Sequence, residues 1–247
     1  ALEASAMAGG ASVTLASRVE PEWLLEHFPE QIRDTETLAL GPNGRVERRS
    51  GLWYGQACLD ESRRPARADE PGVAEILAEA LLERGLGEGG ERILERTAFL
   101  RARRPDLAIP EADALRAALA KGACAGCTSL REAEKPDWTW LLREAIGAET
   151  AGLLETWAPE TVRLLGRRVR VHYGEAAPWI ESRLQDFLGM KEGPRLADGQ
   201  PLVLHLLAPN GRAVQVTTDL AGFWERAYRE LRPALSRRYP RHAWPEI

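Results

Sequence analysis

The chain is poor in cysteine and contains no long apolar run. Its 247 residues include only three cysteines, Cys58, Cys124 and Cys127. Three is too few for a disulfide scaffold, and an odd number does not fit a regular secreted framework, so we expect a reducing, cytoplasmic location. The longest apolar stretches, such as Leu202-Val203-Leu204, are far shorter than the roughly 20 residues of a membrane helix, so we expect no membrane span.

The amino terminus also lacks a targeting signal. Residues 1–10 have no basic segment followed by an apolar segment, so the sequence predicts no signal peptide, and we interpret these small residues as a tail. The first residue is Ala1 rather than methionine, which indicates a fragment. Hydrophobic residues make up 44% and charged residues 28% of the chain, so it is an ordinary globular sequence with room for one large or two small domains.

Several catalytic motifs are missing. The glycine-rich run Gly85–Gly90 suggests a phosphate-binding loop, but such a loop requires Gly-Lys-Ser/Thr, and none of the three lysines follows a glycine. We therefore interpret this run as a turn between helices. No Gly-x-Ser-x-Gly nucleophile motif occurs. The sequence therefore predicts no catalytic and no cofactor-binding residue in this chain.

Two isolated features leave alternatives open. Cys124 and Cys127 have the spacing of half a metal site or of a redox pair, but a structural zinc site needs four ligands and no second half is visible. Incidental cysteines are the favoured interpretation, so we predict no metal residue. His205 lies in an apolar strand, where a histidine is more often a core residue than a catalytic base. A deep pocket joining His205, Gln215 and Asp219 would favour an independent enzyme.

Charge is distributed unevenly along the chain. The 33 basic and 37 acidic residues give a net charge of −4, yet residues 161–247 hold 14 basic and 9 acidic residues. Thirty of the basic residues are arginine, which suits bidentate phosphate contacts, although genomic base composition explains such a bias equally well. The separation of sign between the two parts makes nucleic acid a plausible partner for the last third.

Arginines are grouped in two segments of that last third. In the alternating run Arg167–Tyr173, Arg168, Arg170 and His172 are expected on the face opposite Val169 and Val171. The second group interleaves arginines with aromatic residues, as the grooves that bind single-stranded nucleic acid do. The alternative is a solvated face with internal salt bridges. The candidate phosphate-contacting and base-stacking residues are Arg167, Arg168, Arg170, Arg237, Arg238, Arg241, Tyr239 and Trp244, with Arg48 and Arg49 as weaker candidates and Trp53 and Tyr54 as further stacking groups.

Local patterns predict the order of elements. Gly41–Gly44 predicts a hairpin turn, and residues 71–160 show helical periodicity. Residues 161–247 are mixed: we predict an amphipathic helix over Pro178–Leu188, a strand covered on both faces over Leu202–Leu207, and a helix capped by Thr218 or Asp219 and interrupted by Pro233. We therefore predict an α+β fold.

Long blocks in the last third resemble the C-terminal domain of HrpB-type bacterial ATP-dependent helicases, which are similar to DEAH/RHA helicases. The blocks are Ser182–Glu192, Pro201–Pro209, Val214–Trp224 and Arg238–Glu246, and Leu15–Pro29 and Trp53–Leu59 resemble the segment that follows the helical bundle of that family. The resemblance implies an oligonucleotide-binding-like barrel near the amino terminus and a cytoplasmic, RNA-dependent ATPase as the parent protein. It implies ATP and Mg only in the motor domains, whose phosphate loop and Asp-Glu-x-His motif are not found here.

The predicted organisation has four parts: a tail over 1–10, an oligonucleotide-binding-like β-barrel domain over 11–66, a helical connector over 67–160 and an HrpB-type mixed α/β module over 161–247. The predicted role is an accessory region without ATPase activity that contacts single-stranded RNA or DNA and packs on the motor domains. The alternative is a structural or protein-interaction domain whose basic face binds the motor domains or a partner protein.

Overall fold

The computed structural model describes residues 18–174 and 176–246, which divide into two compact units. The first unit contains residues up to 81 together with residues 124–134, and the second contains residues 82–123 and 135 onwards. Both units are built from helices and small sheets, which confirms the predicted α+β fold class. The boundaries predicted at residues 66 and 160 stay predictions.

The first unit is built around an open antiparallel sheet of three strands, in the order β1-β2-β3. The strands are β1 (Ile32–Leu40), β2 (Val46–Tyr54) and β3 (Ala57–Pro65), and helix α1 (Pro21–His27) precedes them. The predicted turn at Gly41–Gly44 connects β1 to β2, and Gly44 has a φ of 73°, a backbone conformation that glycine adopts without steric cost.

The predicted oligonucleotide-binding-like barrel is not confirmed. Strand closure would require β1 or β3 to pair with a further strand, and among residues 18–81 and 124–134 the sheet ends at both. The part of the predicted barrel domain that precedes residue 18 lies outside the described residues. Residues 128–130 instead pair with the chain at the start of the central strand β2, where Val46 donates its N–H to the carbonyl of Thr128 and Leu130 donates to the carbonyl of Gly44.

Helices make up the first half of the second unit. Helix α2 (Val73–Arg84) begins in the first unit, and α3 (Gly87–Arg103) begins only three residues after it ends. The glycines of Gly85–Gly90 therefore form a two-residue turn and the first turn of α3, not one continuous break. The remaining helices are α4 (Ala112–Cys124), α5 (Leu130–Ala133, in the first unit), α6 (Trp138–Ile146), α7 (Ala148–Gly152) and α8 (Leu154–Trp157).

The second half of this unit is an α/β layer. Strands β4 (Thr161–Arg163) and β5 (Arg168–Arg170) pair antiparallel; β6 (Trp179–Arg183) pairs parallel with β7 (Val203–Leu207), which pairs antiparallel with β8 (Ala213–Thr217). A single bridge between His172 and Trp179 joins the two sheets. The chain then forms a short helix α9 (Leu220–Gly222), a π-helical turn over Phe223–Ala227, and α10 (Tyr228–Arg238).

One apolar core connects these strands to the final helices. Val169, Ile180 and Leu204 point inward from the sheets and lie in one cluster with Phe223 and Tyr228 of the helical segment. Each fully buried side chain of this size contributes roughly 1.5–3 kcal/mol relative to an exposed one. The final helices therefore cover the inner side of these strands.

Three predictions for this layer were wrong. Residues 178–188 form strand β6 and a 3₁₀ turn over Leu184–Phe187 instead of a helix, because Ile180 and Ser182 are buried alternately and pair with β7. Leu202–Leu207 is covered on one face only, since burial alternates along β7. Pro233 does not interrupt α10: the helix continues through it to Arg238, and its ring lies on the exposed side of the helix.

None of the helices formed by residues 18–174 and 176–246 combines the length and the apolar character that crossing a bilayer requires.

Candidate nucleic-acid interface

The outward side of the second unit's strands carries a cluster of arginines, which we call the outer sheet face. In the β4–β5 pair, Arg163 lies opposite Arg168 while Val162 lies opposite Val169. Val169 is buried, so the arginines, which alternate with the valines, point to solvent together with Arg170. On β6, Arg183 and Glu181 alternate with buried Ile180 and Ser182 and therefore share this face.

A row of three aromatic rings crosses the same face. The centroids of His172 and Trp179 are 3.9 Å apart with planes 10° from parallel, and those of Trp179 and His205 are 4.5 Å apart at 26°. The bridge between His172 and Trp179 places the first two rings side by side, and His205 lies on the next strand, β7. All three side chains are half-buried, so parts of the rings contact solvent.

Sequence reasoning placed His172 on this face but missed the other two rings. Trp179 fell in a predicted helix, and His205 was interpreted as a core residue. The strand alternation of Trp179, Glu181 and Arg183 was the signal available, and it was hidden because residues 180, 184, 187 and 188 also fit a helical period.

Two of the predicted phosphate-contacting arginines have acidic partners. Arg170 Nη1 lies 2.6 Å from Glu88 Oε1, and Arg167 Nη1 lies 3.3 Å from Asp186 Oδ2. The hydrogen bond and charge of Arg170, followed by the charge of Arg92, lower the pKa of Glu88. Glu88 therefore stays ionised and partly neutralises Arg170.

Arg163 and Arg168 are exposed and form no ion pair with another residue of the described ranges. Their cross-strand pairing puts two like charges on neighbouring strands, an arrangement that is unfavourable without a counter-ion. Of the arginines on the outer sheet face, these two are therefore the best placed to bind an anionic group.

The second arginine group lies on the helical layer. Arg237 and Arg238 are exposed in the last turn of α10, and Arg241 follows it. Since α10 packs on the inner side of the strands through Leu231 and Leu235, this group and the outer sheet face belong to different layers of the unit.

The two aromatic candidates of that group differ. Tyr239 is half-buried, and the guanidinium carbon of Arg238 lies 5.7 Å from its ring centroid. Trp244 is only 8% exposed, and its indole N–H donates to the carbonyl of Tyr239 at 2.9 Å. The structure therefore places Trp244 in the core, because the closing segment folds back on α10, and its ring is not open to a base.

The weaker candidates lie in the first unit. Arg48 forms ion pairs with Glu70 and Glu36, whose hydrogen bonds and charges raise its pKa. Arg49 faces the other side of β2, opposite Thr37 and Arg63. Arg48 is therefore engaged within the chain.

The predicted aromatic candidates of the same sheet are both half-buried. The indole N–H of Trp53 donates to Thr35 Oγ1, and the ring of Tyr54 packs edge-on against Phe28 at 5.9 Å. These contacts are consistent with a structural role in the first unit.

The residues proposed for an independent enzyme do not come together. His205 pairs with Val216 and faces outward, whereas Gln215 pairs with buried Leu206 and faces the opposite way. Asp219 caps α9 by accepting a hydrogen bond from the Gly222 N–H at 2.8 Å, which lowers its pKa. Strand alternation and helix capping account for these polar residues.

Among the described residues, the cysteines of the Cys-x-x-Cys spacing form no disulfide bond. Cys124 is buried, and this burial raises the pKa of its thiol to about 11, so the thiol stays protonated at neutral pH. Within residues 18–174 and 176–246, no group of three or more His, Cys, Asp or Glu side chains is arranged to hold a metal ion.

Comparison with known proteins identifies the class. The sequence model of the family HrpB_C, described as "ATP-dependent helicase C-terminal", matches residues 120–247, which is more than half of the chain. The chain belongs to this family. The matched region begins within α4 and includes the strands that form the outer sheet face.

The relatives are helicases of Escherichia coli. The chain is 42% identical over 83 residues to "ATP-dependent RNA helicase HrpB" of strain K12, which is 33% of this chain and 10% of that protein. Crystal structures of the E. coli DExH-box NTPase HrpB and of the E. coli DEAH/RHA helicase HrpB match 93% and 90% of this chain with TM-scores of 0.63 and 0.57, each at 26% identity. The chain spans only 30% of the length of those structures.

Proposed function

We propose that this chain is the accessory C-terminal region of an ATP-dependent RNA helicase and that its outer sheet face contacts single-stranded RNA or DNA. Family membership and the E. coli relatives support the first part. The observation that carries the second part is the solvent-facing pair Arg163 and Arg168, which has no acidic partner among the described residues. Guanidinium groups in this position suit bidentate contacts to phosphate.

Neighbouring groups define the extent of the proposed contact. Arg170 extends the cluster along β5, about 7 Å from Arg168 at the spacing of alternate strand residues. Arg167 stands at the start of β5. Phosphates would compete with Glu88 for Arg170 and with Asp186 for Arg167. Arg237, Arg238, Arg241 and Tyr239 form a second proposed contact region on the helical layer.

Motor chemistry is proposed for the rest of the parent protein. ATP and Mg would bind motor domains that this chain does not include, and this region would pack on those domains without hydrolysing ATP itself. The cytoplasm is the proposed location. An oligonucleotide-binding-like character of the first unit stays part of this proposal, and it requires strands in addition to β1–β3.

Salt dependence of binding tests the proposal. Fluorescence-anisotropy titrations with labelled single-stranded RNA and DNA should give affinities that fall steeply between low and moderate salt, because each neutralised phosphate releases counterions. An affinity that does not change with salt would refute electrostatic binding by this face.

A second candidate function is a structural or protein-interaction role. The ion pairs of Arg170 with Glu88 and of Arg167 with Asp186 favour it, because they show that arginines of this region bind carboxylates. In that case the free arginines would pair with acidic residues of the motor domains or of a partner protein. Pull-down against the separate motor domains, with and without Arg167, Arg168 and Arg170 changed to glutamate, discriminates the two: loss of motor binding with unchanged RNA binding would favour this second role.

A further inference from the structure

The ring row of His172, Trp179 and His205 has a geometry that the arginines do not explain. Trp179 is enclosed on both ring faces by histidines, at 3.9 Å and 4.5 Å, so the two outer ring faces of the row belong to the histidines. The row runs from His172, two residues after β5, across β6 and β7, and the next position in that direction is Val216 on β8, the register partner of His205.

The position beyond His205 is open. Val216 is 50% exposed on β8, the edge strand of this sheet, so its apolar surface is open to solvent. A flat ring placed over Val216 would contact the outer face of His205 on one side and apolar surface below. Because Trp179 and His172 lie behind His205 and fix its orientation, this imidazole is ordered before any ligand arrives.

The charge around the row matches a strand of nucleic acid. Arg168 and Arg170 lie at the β5 end of the row and Arg183 lies further along β6, so guanidinium groups flank the rings. Glu181, the β6 register partner of His205, lies on the side of His205 that is away from Val216. Arginines that follow a phosphate backbone, with rings that stack on bases, are the elements of a groove for single-stranded nucleic acid.

We propose that His205 is a base-stacking residue: one base of a bound single strand stacks on its outer face above Val216 and extends the ring row. This rests on the proposed function, since the arginines hold the strand while the row selects for bases. An unstacked base is required, so duplex nucleic acid is not expected to use the position.

The test compares strands of equal charge with and without bases. Anisotropy titrations of the intact chain with labelled oligoadenylate RNA and with an abasic strand of the same length should show about 5- to 160-fold tighter binding of the strand with bases, the range that stacking of one base contributes. His205→Ala should abolish this preference while leaving the abasic affinity unchanged. His205→Phe should retain it, because the ring rather than its charge makes the contact.

A matched control is available in His242. This half-buried histidine follows α10 on the helical layer, so His242→Ala should leave the preference intact. Thermal melting of each variant verifies that the fold is kept. Salt-dependent binding that is equal for both strands, or a preference that survives in His205→Ala, would overturn the stacking proposal and leave the proposed function standing. Absence of binding to either strand would overturn both.

Discussion

The outer sheet face allows the salt dependence of nucleic-acid binding to be calculated in advance. For single strands, log K changes with log salt concentration with a slope of about −0.7 per neutralised phosphate. Arg163 and Arg168 have no acidic partner in the described ranges, so each is counted as one full contact. The double variant Arg163→Gln/Arg168→Gln should therefore reduce the steepness of this slope by about 1.4.

Removing the charge of Glu88 should change the slope in the opposite direction. Its carboxylate holds Arg170 at 2.6 Å and stays ionised because that arginine lowers its pKa. Glu88→Gln releases Arg170 for phosphate, so the slope should steepen by as much as about 0.7 and the affinity should rise. Anisotropy titrations over a fourfold range of salt resolve both changes, since a slope difference of 1.4 amounts to about a sevenfold difference in affinity.

Charge-matched controls separate site contacts from net charge. Arg131→Gln/Arg143→Gln removes two arginines from helices α5 and α6, and Glu79→Gln removes one exposed acid from α2. Neither control variant should change the slope by more than a fraction of the roughly 0.7 that one phosphate contact contributes. If the double variant on the strands leaves the slope unchanged, or if Glu88→Gln and Glu79→Gln act equally, the reasoning from this face is refuted.

The remaining predictions concern stability and thiol chemistry. Leu204→Ala, at a fully buried core position, should lower the free energy of unfolding by about 2–5 kcal/mol in urea denaturation, and Leu207→Ala, half-buried on the outward side of the same strand, should cost clearly less. Burial lowers the pKa of His172 below its usual value, so the unfolded chain binds a proton at this histidine more readily than the folded chain does. The free energy of unfolding should therefore fall as pH drops below about 6.5, and His172→Gln should reduce this pH dependence. Exposed Cys58 should react with a thiol reagent at pH 8 well before buried Cys124, whose raised pKa keeps it protonated; equal rates would contradict the described burial.

Elements with strong local signals were predicted closely. Helix α6 (Trp138–Ile146) lies in the stretch predicted to be helical, and local residues set its ends: Asp137 caps it by accepting from the Trp140 N–H, and Gly147 ends it with a φ of 85°. The Gly41–Gly44 turn between β1 and β2 and the cap at Asp219 were also predicted correctly. Caps and tight turns depend on residues that are neighbours in sequence, so the sequence contains all the information needed.

Elements that depend on distant partners were predicted less well. The stretch Pro178–Leu188 has a helical apolar period, yet its first half pairs with β7, more than twenty residues away, and exposes Trp179 as a result. Trp244 was mispredicted for the same reason. Its sequence neighbours are exposed arginines, but its contacts with Tyr239 and the core bury it.

The sequence by itself determined the family, the α+β composition and the concentration of arginine in the last third of the chain. Only the tertiary structure decided which arginines are free, which are held by Glu88 and Asp186, and that the two arginine groups lie on different layers. It also brought His172, Trp179 and His205 into one row. The physical reason is that ion pairing and ring stacking require contact within a few ångströms between residues from separate strands and helices, and strand pairing over long sequence separations determines those contacts.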